Sequence, residues 1–257
     1  MAGPERLYLE DAYRRACDAT VVARHEGCVA LDRTVLYGHR HDYGHPQVSD
    51  KGLIRSEGQT LRVKRVDDEG DVLFHYLEGR PLPPCGATVR CEVDFPRRLV
   101  VMRLHAATHA LLAVAEDLGL RVKPIASRSP EVDVFSAYVY FEPDGLPRET
   151  AADLEAAVNR VLQRPRDVVV RWRPREEVLA RAGADRVRIA RIPEWHDPLR
   201  LVSIEGLSEV PCDGTLVRNT REVGRVEVRE VRSMKAGRKL VLGLAGIAPP
   251  SGVRSAR

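Results

Sequence analysis

The chain has 257 residues, enough for one large domain or two modest ones, with 44% hydrophobic and 30% charged side chains. Its five cysteines (Cys17, Cys28, Cys85, Cys91, Cys212) are an odd number at irregular spacings, which argues against a disulfide framework. No stretch approaches a membrane span and the N-terminus has no apolar signal region, so a cytoplasmic protein without membrane contact is expected.

The net charge of +4 is unevenly placed. Residues 200–257 hold 11 Lys/Arg against 6 Asp/Glu, while the first 199 hold 30 against 31. A basic C-terminal stretch suits a polyanionic partner such as RNA.

Along the chain, Thr20–Ala23, Cys28–Leu31, Leu61–Val66, Val72–Tyr76 and Thr88–Val93 are β-branched or alternating runs separated by polar and glycine-containing turns. They predict a small β-barrel or sandwich over residues 1–93. Asp94-Phe95-Pro96 then opens a helix, with Asp94 as N-cap and proline in the first turn. It runs to about Asp117 and is stopped by Gly119. Val132–Phe141 reads as a strand closed by the turn Pro143-Asp144-Gly145. Glu149–Leu162 is a second helix, Val168–Trp172 a strand and Arg175–Arg181 a short helix. Strand-like runs follow at 186–191, 200–204, 225–231 and 239–244, and 249–257 reads as a disordered tail. The predicted class is α+β, with helices on a largely antiparallel sheet over residues 94–248.

Two motifs carry chemistry. His105-Ala106-Ala107-Thr108-His109 places two imidazoles on one helix face. Cys212-Asp213-Gly214-Thr215-Leu216 supplies a thiol far downstream. Two histidines and a cysteine are a donor mix that zinc accepts. A histidine four residues after the cysteine would complete four ligands, but that position is Leu216.

The wording around these residues resembles the alanyl-tRNA editing domain. Met102–Leu112 is similar to that family's HxxxH helix. The stretch from Pro211-Cys212-Asp213-Gly214-Thr215 to Asn219-Thr220-Arg221-Glu222-Val223-Gly224 is similar to its CGGTHVxNTxEIG segment. Leu7–Tyr13 and Leu31-Asp32-Arg33-Thr34-Val35-Leu36-Tyr37 resemble the opening of free-standing alanyl-tRNA editing proteins. The resemblance implies an N-terminal β-barrel followed by an editing-type domain. It also implies an enzyme that hydrolyses tRNA wrongly charged with serine or glycine. Small amino acids differ by a hydroxyl or methyl, which one apolar pocket separates poorly, so a second hydrolytic site is needed.

Carried over position by position, the resemblance makes His105, His109 and Cys212 zinc ligands and puts Thr108 near the pocket. Gln47, Asp50 and Gly52 match the end of the family's glycine-rich motif, the first two as substrate contacts. Arg218, Arg221, Arg225, Lys235, Arg238 and Lys239 are candidate phosphate contacts for aminoacyl-tRNA, the expected partner; DNA is not expected.

Three departures stand out. Leu216 replaces the fourth ligand. Asp213 replaces the first glycine of the Gly-Gly pair, where the backbone could need freedom. The glycine-rich loop is rebuilt as the ten residues Gly38–Gln47, which hold His39, His41 and His45. Two outcomes are compatible with these changes. Three ligands plus water form an open catalytic site, with His39, His41, His45 or His196 as substitutes for the missing ligand. Alternatively, a metal-poor relative binds aminoacyl-tRNA, or passes its aminoacyl group to a small-molecule acceptor.

Overall fold

A computed structural model describes residues 3–40, 46–123, 132–147, 150–181, 192–194 and 196–247. The expected strand at 186–191, the tail at 249–257, and His41 and His45 lie outside these residues.

The N-terminal half opens with a short strand β1 (Glu5–Arg6), one helical turn α1 (Leu7–Glu10), β2 (Ala16–His25), β3 (Cys28–Leu31) and β4 (Arg33–Thr34). β5 (Gly52–Ser56), β6 (Gln59–Asp68), β7 (Leu73–Glu78) and β8 (Thr88–Val93) follow. Six of these strands close an antiparallel barrel in the order β2-β3-β7-β6-β5-β8. Alternate side chains such as Ile54, Val63, Val89 and Cys91 fill its interior, while their neighbours face water. Gly52, in the rebuilt motif, permits one seam. A Cβ there would sit 2.0 Å from the Glu92 carbonyl oxygen, so β5 and β8 close only over a glycine.

β8 runs straight into α2 (Phe95–Asp117), capped by Asp94, whose side chain accepts from the Arg97 N–H. The helix ends as its sequence requires. Gly119 takes φ +67 and the Leu120 N–H bonds the Ala115 carbonyl, a Schellman closure. α2 is apolar on most faces because it is surrounded. It is long and apolar enough to cross a membrane by length and composition alone, contrary to the expectation from sequence. However, 72% of its apolar window is buried inside the protein, as in a core helix.

Around α2 lie β9 (Ala137–Phe141), α3 (Thr150–Gln163), β10 (Val168–Arg173), α4 (Arg175–Arg181), β11 (Leu199–Ile204), β12 (Val210–Pro211), β13 (Val226–Met234) and β14 (Gly237–Leu244). They form two three-stranded antiparallel sheets, β10-β11-β12 and β13-β14-β9. The expected strand at 132–141 is shorter than its apolar pattern. Asp133 accepts from the N–H groups of Phe135 and Ser136, and that side-chain turn holds the chain out of the ladder until Ala137. The barrel and the α2 layer each have a hydrophobic core of their own.

The two halves are joined by buried polar bonds. Arg98, fully buried in the first turn of α2, donates to Asp50 Oδ2 at 3.0 Å and to the carbonyls of Ala12 and Val35. Asp50 also accepts from the Tyr37 N–H at 2.7 Å. Each charge is therefore matched by hydrogen bonds, the condition for tolerating a buried ion pair.

Candidate metal centre

α2 presents His105 and His109 one turn apart, with rings stacked at 5.2 Å between centroids. After β12 the chain turns inward and delivers Cys212 to the same place. The ligand atoms of His105, His109 and Cys212 all lie within 4.8 Å of one another, and all three residues are buried.

Gln47 fixes the chemistry of His105. The Thr215 N–H can only donate, and it donates to Gln47 Oε1 at 2.9 Å, which settles the orientation of the amide. The same oxygen lies 2.8 Å from His105 Nδ1, so Nδ1 carries the proton. His105 Nε2 then holds the lone pair, and Cys212 Sγ lies 3.4 Å from it. Burial pushes the Cys212 thiol up to about 12, against the opposing pull of Arg200. Without metal the neutral thiol donates to the imidazole; with metal it would have to lose that proton.

Gly214 is the residue that makes the turn fit. A Cβ there would lie 2.1 Å from His105 Cε1 and 2.8 Å from Gln47 Oε1. Asp213, where freedom of the backbone was expected to matter, is not among the described residues with positive φ. Its side chain approaches Tyr37 Oη at 3.5 Å and Arg40 Nε at 3.8 Å. Arg200 braces the turn from the other side, donating to the Cys212 and Gly214 carbonyls at 2.6 and 3.2 Å.

The remaining candidates divide. Gln47 joins the donor set as a hydrogen-bond partner of His105. Thr108 is buried on the same helix, with its hydroxyl returned to the Leu104 carbonyl at 2.8 Å. Asp50 is not brought into the cluster; it is a strut between Tyr37 and Arg98. Leu216 is buried in the α2 core, so an apolar side chain fills the fourth position. Neither His39 nor His196 belongs to the donor group found among the described residues. His39 Nδ1 bonds the Gln47 carbonyl at 2.9 Å, and His196 Nε2 lies 2.8 Å from Arg40 Nη2.

Of the candidate phosphate contacts, Arg218, Arg221, Arg225 and Lys235 are exposed. Arg218 stacks over Tyr13 and pairs with Asp11 at 3.0 Å. Arg238 donates to the Leu146 carbonyl, and Lys239 is buried with its ammonium 3.9 Å above the Tyr138 ring. Those two serve packing.

Sequence reasoning missed Arg98, Arg40 and Arg200. Arg200 had a signal, a single charge inside the otherwise apolar run Leu199–Ile204. Arg98 and Arg40 had none, because their partners are distant in sequence.

No family model matches the chain. It is similar to the alanine–tRNA ligase of Ignicoccus hospitalis, 34% identical over 243 residues, 94% of this chain and 26% of that protein. It is 32% identical to the alanine–tRNA ligase of Thermofilum pendens over 94% of the chain, and 32% identical to that of Korarchaeum cryptofilum over 90%. The chain belongs to the alanyl-tRNA editing family. It spans about a quarter of the length of these relatives. As a member of this family it is related to tRNA-handling proteins of protein biosynthesis.

Proposed function

We propose that the protein is an aminoacyl-tRNA deacylase that acts in trans on tRNA(Ala) mischarged with serine or glycine. The observation that carries this reading is the buried His105–His109–Cys212 donor set, seated on the family's HxxxH helix and cysteine turn. Two imidazoles and a thiol fit zinc, and the three atoms are close enough to share one ion. His105, His109 and Cys212 would hold it, and with Leu216 opposite, the fourth position would be left to water or substrate. Bound zinc would supply Lewis acidity toward the ester carbonyl and an acidified water.

The chain's own residues do the rest. Gln47 keeps His105 in the tautomer whose lone pair faces the centre. Thr108 and Leu216 help close the site in the buried interior. Arg218, Arg221, Arg225 and Lys235 are proposed to meet tRNA phosphates. Residues 1–93 and 94–248 are read as two domains, a division that their separate cores support.

The test is metal content and deacylation together. Protein purified without chelator should hold close to one zinc per chain and release serine or glycine from mischarged tRNA(Ala); His105→Ala should abolish both. Metal-free protein with no deacylation would overturn the reading. Leu216→His asks what the missing ligand does. A rise in both zinc occupancy and rate marks a weakened editing centre. A fall in rate with full occupancy marks a three-ligand centre whose open position is needed.

A further inference from the structure

Two departures from the editing motif meet in one cleft. Arg40, in the rebuilt loop, and Asp213, in place of the motif's glycine, approach to 3.8 Å and line a cavity of about 370 Å³. That volume suits a small-molecule site. Its wall carries three arginines and three aspartates, so both signs of charge face the space and neither predominates. A polyanion would find no cationic excess there. A molecule carrying both charges finds guanidinium forks for its carboxylate, and aspartates with the half-exposed Trp172 ring for its ammonium.

The cleft backs onto the donor set. Arg200, on its wall, donates to the Cys212 and Gly214 carbonyls. The other side of Gly214 faces His105 at van der Waals distance. A single turn of chain has the metal donors on one side and the cleft on the other.

We infer that this cleft seats a small zwitterionic amine, such as a free amino acid, as acceptor for the aminoacyl group of the tRNA. The inference rests on the aminoacyl-tRNA reading above. A neutral amine is a stronger nucleophile toward an ester than water, and holding it beside the ester raises its effective concentration far above bulk. The ammonium loses a proton to solvent at the cleft mouth. The nitrogen attacks the ester carbonyl carbon, the C–N bond forms and the C–O bond to the ribose breaks. One of the two remaining amine protons goes to the ribose oxygen. The products are an amide and uncharged tRNA, with no oxidant or reductant required.

The test uses the full chain with tRNA(Ala) bearing labelled serine, glycine or alanine, and glycine, β-alanine or L-serine as acceptors at millimolar concentration. Products are read by mass spectrometry. Amide is expected with the zwitterions and about 10-fold less with methylamine, which lacks the carboxylate. Trp172→Ala should raise the acceptor KM several-fold; its half-exposed ring makes it safer for folding than Arg40→Gln, which should do the same. Free amino acid as the sole product with every acceptor overturns the inference and leaves the hydrolase standing. Amide formed equally well from methylamine overturns the zwitterion site. No ester loss above the uncatalysed rate overturns both readings.

Discussion

Replacing Gln47 by leucine removes one side chain and breaks a hydrogen-bonded unit. Gln47 is fully buried, and its Oε1 accepts from both His105 Nδ1 and the Thr215 N–H. Leucine would leave both donors buried and unmatched. Each costs about 1–3 kcal/mol, so the loss is about 2–6 kcal/mol, reduced by about 1 kcal/mol for the added apolar burial. The freed imidazole would also lose its tautomer preference, and such changes weaken zinc binding about 10–100-fold. Gln47→Glu is the matched control: its carboxylate keeps both acceptor bonds and should hold zinc at least as tightly as the parent. Urea unfolding with and without chelator gives the first quantity, and competition with a chromogenic zinc chelator the second. A Gln47→Leu protein within about 1 kcal/mol of the parent, with zinc affinity changed less than about twofold, would refute this account of the amide.

Other perturbations have defined outcomes. His75 is sealed in the barrel, and burial lowers it to about 4 from 6.5. The folded state excludes a proton that the unfolded state binds, so stability is complete above pH 6.5 and falls by about 3 kcal/mol as pH drops toward 4; denaturant midpoints for parent and His75→Gln across that window should converge on the acid side. Arg98→Met strands the Asp50 carboxylate and should cost about 3–5 kcal/mol, and adding Asp50→Leu should recover part of it; equal midpoints for parent and single variant would remove Arg98 as the clamp. Gly214→Ala forces a Cβ onto His105, so zinc affinity should fall even where circular dichroism is unchanged. Charge removal at Arg218, Arg221, Arg225 and Lys235 should weaken tRNA binding and reduce its salt dependence, whereas Lys239→Met should lower stability instead.

The strands and helices were largely legible because their signals are local. α2 begins and ends where Asp94 and Gly119 place it, and Cys28–Leu31 and Thr88–Val93 were readable from alternation alone. β5 escaped because Gly52 breaks the strand pattern, and the glycine is explained only by the Glu92 carbonyl across the seam. The donor set was legible as a motif. Its tautomer was not, since that depends on Gln47 and Thr215, 168 residues apart. The cleft was least legible: Asp213 and the rebuilt loop read as separate losses, and only their approach shows that they form one wall.

The clamp at Arg98 also bears on how the molecule can be built. Its guanidinium is satisfied by groups that all precede the helix in the chain: Ala12, Val35 and Asp50. A fragment starting at residue 94 would carry the histidines and the cysteine yet bury an unanswered cation at the root of its main helix. The catalytic half is thus not a portable module. During synthesis α2 emerges after every one of those partners, so the barrel can be waiting as a template when the helix arrives, and a circular permutant that reverses the order should fold more slowly to the same end state.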